Sequence, residues 1–357
     1  MFALSRSLLI APLGVSLLLT PVWAARKPAP ATHKISEDSV NNAEWRRGSS
    51  PAPLLVRLQV LLDRAHASPG QIDGNRGENT RKAVAAFRDM RGLGAGEQID
   101  EELVRTLTNN DGEPALVAYT ITDNDVAGPF IEKVPDDFRE KASLKHLSYT
   151  GPQELLAEKF HMSEKLLEQL NPNVSFDQAG TSIVVANVQR GDLPSRISRV
   201  DVDATGQRVL AYDKDDNVVA VYPATVGSDE RPSPSGEFKV SGIAENPTYH
   251  YDPSLNFRGV HVQEPLDLPP GPNNPVGLVW IALSAKGYGI HGTPEPEAVG
   301  KRASHGCIRL TNWDALELAH HVKKGTPVTI NTRTTGATAG RRQSSREEGV
   351  HTRRARK

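Results

Sequence analysis

From Arg196 onward the chain reads as one short strand after another. The stretch "RISRVDVDATGQRVLAYDKDDNVVAVYPATVG" alternates apolar and polar residues and is broken by turn formers at 204–206 and 213–217. A period of two puts alternate side chains on opposite faces of a pleated strand, and it cannot form the stripe that a packed helix needs. The same texture runs through "GEFKVSGI", "GLVWIAL" and "GYGIHG" to "TPVTINT". This predicts a mainly β unit, sandwich-like or barrel-like, over 196–331. One helix interrupts it, "TNWDALELAHHVKKG", opened by a capping box from Thr311 to Asp314 and closed by Gly325.

Upstream the period changes to that of helices. "LLVRLQVLLDRA" sets Leu55, Leu58 and Leu62 on one face, and "TRKAVAAFRDM" does the same with Val84 and Phe87. "DEELVRTL" starts at an N-cap, Asp100, with Leu103, Val104 and Leu107 behind it. The turn "QIDGNRG" between the first two carries Asp73, which is read as a turn residue capping backbone amides rather than as a metal ligand. Over 115–190 two amphipathic helical segments precede a β-branched strand at 183–188. With 357 residues, 26 prolines and 29 glycines, the chain is expected to be multidomain.

Its two ends differ from this middle. Residues 1–24 place Arg6 ahead of an apolar run from Leu8 to Leu19, with Val22 and Ala24 at the spacing of a signal-peptidase site. The run is short for a membrane span and is broken by Pro12 and Gly14. A signal peptide is therefore expected, with a periplasmic location and no membrane span after its removal. Residues 25–53 are polar and proline-rich and read as a disordered tether, and 332–357 as a basic disordered tail. A formal net charge of −1 gives no general attraction to nucleic acid.

An exported chain with a single cysteine cannot form an internal disulfide, so Cys307 is either an intermolecular link or a functional thiol. Its neighbours favour function. A thiol attacks a carbonyl only as thiolate, which needs a base or a positive charge close by. His291 lies sixteen residues upstream across the polar, turn-rich "TPEPEAVGKRAS", a surface loop long enough to fold back. Gly306 clears the approach of a substrate carbonyl and lets backbone N–H groups turn toward an oxyanion. Gly292 offers its carbonyl to the second imidazole nitrogen. Arg309 and His305 fall on the same strand face as the thiol, where Arg309 can steady a thiolate or hold a substrate carboxylate.

Two other chemistries stay open on these residues. His291, His305 and Cys307 are all zinc-competent, and three ligands with an open fourth position would make a hydrolytic metal site; a sortase-like arrangement also uses His, Cys and Arg. His250, His261, His320 and His321 are read as structural, and Trp280 and Tyr288 as core or cleft wall.

The run "IHGT" followed by "SHGCIRL", with "SPSGEFKV" and "ENPTYHYDP", resembles the catalytic domain of the L,D-transpeptidase family (YkuD type), in its periplasmic Gram-negative branch. The resemblance implies a β-sandwich-like fold over 196–331 and a cysteine acyltransferase that needs no cofactor. It implies Cys307 as nucleophile, His291 as base oriented by Gly292, and Ser304, His305, Gly306 and Arg309 as oxyanion and substrate-binding residues. Peptidoglycan stem peptides would be the donors. The product would be a 3→3 cross-link, attachment of an outer-membrane lipoprotein to the wall, or, with water as acceptor, a trimmed stem as from a carboxypeptidase. "IDGNRGENT" within 54–107 resembles a three-helix peptidoglycan-binding domain, and 115–190 resembles a degenerate LysM module that binds glycan strands. A non-catalytic wall-binding protein is the rival reading from another class.

Overall fold

The computed structural model describes residues 35–227, 233–255, 262–301 and 306–331. The expected signal peptide, the first ten residues of the expected tether, His261, Ser304, His305 and the basic tail at 332–357 lie outside the described residues.

Residues 35–53 are not a tether. Helix α1 (Glu37–Asn41) is opened by a capping box between Ser36 and Ser39, and Val40 is fully buried. One apolar residue, correctly capped, is enough to dock so short a helix when tertiary packing supplies the rest. Helices α2 (Ala52–Arg64), α3 (Glu78–Arg91) and α4 (Glu101–Asn110) follow, with Asp100 accepting from the Leu103 N–H as the N-cap of α4. Helix α2 buries two faces. Leu54, Leu58 and Leu62 pack with Phe87 and Leu103 in one core, while Val56 and Val60 enter a second.

That second core belongs to the next segment. Strand β1 (Leu116–Thr120) is followed by α5 (Asp123–Val126), α6 (Phe138–Ser143), α7 (Pro152–Lys159) and α8 (Glu164–Leu170). Strand β2 (Ser182–Ala186) then returns antiparallel to β1, pairing Leu116 with Ala186. Val56, Val60 and Ile72 from the helical region share one apolar cluster with Leu116, Leu156 and Ile183. The helical segment therefore has a core of its own and also contributes to the core of the segment that follows.

The β region contributes β3 (Arg199–Asp203), β4 (Arg208–Tyr212), β5 (Val218–Pro223), β6 (Thr225–Val226) and β7 (Gly236–Glu245). It continues with β8 (Tyr249–Tyr251), β9 (Leu266–Leu268), β10 (Val279–Leu283), β11 (Gly289–His291), β12 (Ile308–Arg309), α9 (Asn312–His321) and β13 (Pro327–Asn331). Nine strands pair in the order β5-β4-β3-β13-β7-β10-β11-β12-β6. Strand β7 serves both halves: Gly236–Lys239 pairs with β13, while 240–245 pairs with β10. Strands β5 and β6 stand at opposite ends of the order yet are separated only by Ala224. The sheet must fold back on itself to bring them together, which gives a mainly β, sandwich-like unit around Val202, Val240, Ile281, Ile290, Ile308 and α9.

The turn formers act where the sequence puts them. Asp213 Oδ1 accepts from the Asp215 and Asn217 N–H groups and so shapes the β4–β5 turn. Asp73 caps the Asn75 N–H in the same way. The capping box expected at α9 is only half made. Thr311 accepts from the Asp314 N–H, but the Asp314 carboxylate is drawn away to Arg190 and Ser68. The edge strand β5 is covered as well: the Ser68 N–H donates to the Val221 carbonyl at 2.9 Å, and the Val221 N–H donates to the His66 carbonyl at 2.8 Å.

Candidate active site

Strands β11 and β12 run parallel, with Ile290 opposite Ile308 and His291 opposite Arg309. Ile290 and Ile308 point into the core, so the pleat sends His291, Arg309 and the flanking Cys307 to the other face. Cys307 stands beside Gly289, whose N–H donates to the sulfur, and the thiol in turn donates to the Gly287 carbonyl at 3.8 Å. Cys307 and His291 are thus diagonal neighbours on one face of the strand pair.

The imidazole is fixed by its surroundings. His291 Nδ1 lies 2.6 Å from the Gly292 carbonyl. A carbonyl can only accept, so the proton sits on Nδ1 and Nε2 keeps its lone pair. On the neighbouring strand, Trp280 stacks on the ring with centroids 5.4 Å apart. Trp280 is therefore cleft wall, one of the two readings its sequence position allows. A Cβ at Gly289 would meet the Trp280 ring at 2.6 Å, and one at Gly292 would meet Asn312 Oδ1 at 2.2 Å. Both glycines are there because other groups occupy the space.

Electrostatics favour an uncharged pair at rest. Burial first, and then the Arg309 charge, lower the His291 pKa to about 3. Burial pushes the Cys307 thiol up, with the Gly289 N–H and Arg309 opposing it only in part. The site therefore holds a neutral imidazole and a neutral, partly exposed thiol rather than a preformed ion pair.

Several residues the sequence did not single out support this arrangement. The Ser233 hydroxyl donates to the Gly306 carbonyl at 2.6 Å, which pins the segment before the thiol. Gly306 has φ +110, a region only glycine adopts without strain. Burial and then the neighbouring Cys307 push the Tyr249 phenol up, which places it by the thiol. Ser233 and Tyr249 lie inside "SPSGEFKV" and "ENPTYHYDP", so the signal was present as a resemblance but not as a residue. Arg309 lies on the thiol face as expected, and its Nε is buried with no hydrogen-bond partner among the described residues.

Other histidines stand apart from the thiol. His250 contacts Asp267 at 2.6 Å, His320 contacts Glu245 at 3.2 Å, and His321 lies against the Glu317 carbonyl at 2.8 Å. Ser304 and His305 lie outside the described residues, so the zinc-competent set is represented here by His291 and Cys307. Among the described residues no group of three His, Cys, Asp or Glu side chains could hold a metal ion.

Fold and site together define a β-sandwich protein with a cysteine and a histidine on adjoining parallel strands. A family model for the L,D-transpeptidase catalytic domain, YkuD, matches residues 197–330. A Bacillus licheniformis protein bearing the L,D-transpeptidase name YkuD is 34% identical over 180 residues, covering 50% of this chain and 92% of that protein. A Salmonella typhimurium protein bearing the L,D-transpeptidase name ErfK/SrfK is 32% identical over 189 residues, covering 51% of this chain and 60% of the other. The catalytic domain of an E. faecium L,D-transpeptidase aligns with 39% of this chain and 99% of its own, at 26% identity and a TM-score of 0.30. The chain belongs to the YkuD family of L,D-transpeptidases.

Proposed function

We propose that this chain is a peptidoglycan L,D-transpeptidase working through a Cys307 thioester. The observation that carries this reading is the shared strand face of Cys307 and His291, with His291 Nδ1 committed to the Gly292 carbonyl. In the proposed reaction His291 Nε2 takes the thiol proton as the sulfur attacks the carbonyl carbon of the third residue of a tetrapeptide stem. The bond to the terminal D-alanine breaks, and His291 returns the proton to the leaving amine. The N–H groups of Gly306 and Cys307 hold the oxyanion, with Ser304 and His305 beside them, and Arg309 holds a stem carboxylate. An amine of a second stem then displaces the sulfur, giving a 3→3 cross-link and a free thiol. A lysine of an outer-membrane lipoprotein would give wall attachment by the same step.

The rest of the chain fits a wall enzyme. Residues 1–24 serve as a signal peptide for export to the periplasm, and 54–107 holds peptidoglycan, which raises the local concentration of stems. The 115–190 segment contacts glycan strands as a LysM-like module. No helix among the described residues is long and apolar enough to cross a membrane.

The test is incubation of the mature chain with disaccharide-tetrapeptide, followed by chromatography of the products. D-alanine release together with a 3→3 linked dimer, both lost in Cys307→Ala, supports the proposal. Unchanged tetrapeptide would overturn it, and D-alanine release without dimer would leave a carboxypeptidase.

A further inference from the structure

The loop from Gly292 to Lys301 joins the base strand to the segment that carries the thiol. Its middle is exposed at Glu295 and Glu297, but Gly292, Thr293, Val299 and Gly300 at its two ends are buried. One buried end is bonded to a side chain from far upstream, and the other packs on a side chain that an upstream carboxyl holds.

At the end beside His291 the holder is Asn312, and behind it Glu158. Asn312 Oδ1 accepts from the Leu278 N–H at 3.1 Å and lies where a Cβ on Gly292 would fall. Its Nδ2 donates to both Glu158 oxygens, at 3.0 and 3.2 Å. Glu158 comes from α7 and is buried, with Tyr149 donating to its carboxyl at 3.3 Å. At the other end, Asn79 in the first turn of α3 donates through Nδ2 to the Val299 carbonyl at 2.8 Å. The adjacent Gly300 N–H donates to Thr225 Oγ1 at 2.8 Å, and Thr225 is the strand partner of Arg309.

We propose that Glu158 and Asn79 are positioning residues for the reaction, clamping from upstream the two ends of the loop that separates base from nucleophile. The helical region is then part of the catalytic machinery as well as a wall contact. This inference rests on the reading of Cys307 and His291 as nucleophile and base. Burying a carboxyl and an amide is unfavourable unless both are hydrogen-bonded. Asn79 bonds the loop backbone, and Glu158 bonds Asn312, the side chain packed on Gly292, as well as Tyr149, so bonds that stabilise them also fix the loop.

A role in stability alone predicts changed melting and unchanged thiol chemistry. The readout is therefore the pH profile of Cys307 alkylation by iodoacetamide in the full chain, set beside its acylation rate with disaccharide-tetrapeptide. In Asn79→Ala and Glu158→Ala both rates should fall about tenfold at neutral pH, the worth of one lost hydrogen bond. The alkylation midpoint should move toward that of His291→Ala. Glu158→Gln keeps an acceptor for Asn312 and should stay within about twofold of the parent. If Asn79→Ala does not fold, Asn79→Asp keeps the shape without the donor and decides the point in the same way.

Folded variants with the parent profile would overturn the inference, as would a Glu158→Gln chain impaired as badly as Glu158→Ala. A parent chain that tetrapeptide never acylates would sink the assigned reaction, while shifted alkylation midpoints in the variants would still establish the clamp.

Discussion

At the residue scale the consequential feature is the neutrality of the thiol and the imidazole. Because burial and Arg309 lower the His291 pKa to about 3, the ring remains a base well below the pH at which an exposed histidine would be lost. Acylation should therefore show no acid limb near pH 6.5, and its rate should hold from pH 7 down to 5. A fall centred near the ordinary histidine pKa would contradict the site as described. The sign for Arg309 follows from the same cause. Its charge disfavours imidazolium, so Arg309→Gln should raise the His291 pKa and move the acid limb upward, read from the pH dependence of acylation.

That Cys307, His291, Gly292 and Arg309 come together was legible in the sequence because they are concentrated in one window. Ser233, Tyr249 and Asn312 were not, because a hydroxyl, a phenol or an amide shows its role only when tertiary folding brings it to a partner tens of residues away.

At the scale of elements, strands announce themselves by alternation and turns by Asp, Asn and Gly, so the texture of the β region is readable from 199 to 331. The bend that lets β7 join both halves of the sheet is not readable, since it depends on which strands pair. Helix α1 escapes notice for another reason. Its composition is polar, and a capping box plus the burial of Val40 decide it.

Helix α7 supplies a prediction of its own. Burial raises the Glu158 pKa from its usual value to about 8, so between about pH 4.5 and 8 the folded chain holds a proton that the unfolded chain releases. Stability should accordingly fall as pH rises through that window, by at most about 1.4 kcal/mol per pH unit from this group. Glu158→Gln lacks the titration and should gain on the parent steadily from pH 5 to 8 in urea unfolding. Parallel stability curves for the two chains would count against the buried carboxyl.

At the scale of the whole molecule, the upstream region and the β unit are fastened by a buried ionic cluster. Arg190 pairs with Asp63 of α2 and with Asp314 and Glu317 of α9, while His161 contacts Asp63 and His66 contacts Glu317. Burial alone would raise the Glu317 pKa, but Arg190 and His66 outweigh it and bring it down to about 2. Its stabilisation is complete above the ordinary carboxylate range and is lost as pH falls toward 2. Arg190→Ala would leave buried carboxylates without their cation and should cost about 3–5 kcal/mol in denaturant unfolding. Because the cluster spans both regions, the parent should unfold in one transition that fluorescence and circular dichroism report together. The sequence suggested modules in series. It could not show that α2 serves two cores or that Arg190 fastens α2 to α9, since both facts depend on contacts between residues far apart in the chain.

All of this serves one central claim, that Cys307 carries the acyl group. The most direct measurement is the intact mass of the mature chain mixed with disaccharide-tetrapeptide and quenched early, beside Cys307→Ala and a sample treated with EDTA. The expected result is an adduct of the stem lacking its terminal D-alanine, located on Cys307, absent from Cys307→Ala and unchanged by the chelator. An adduct elsewhere, no adduct at all, or turnover that disappears with EDTA would contradict it.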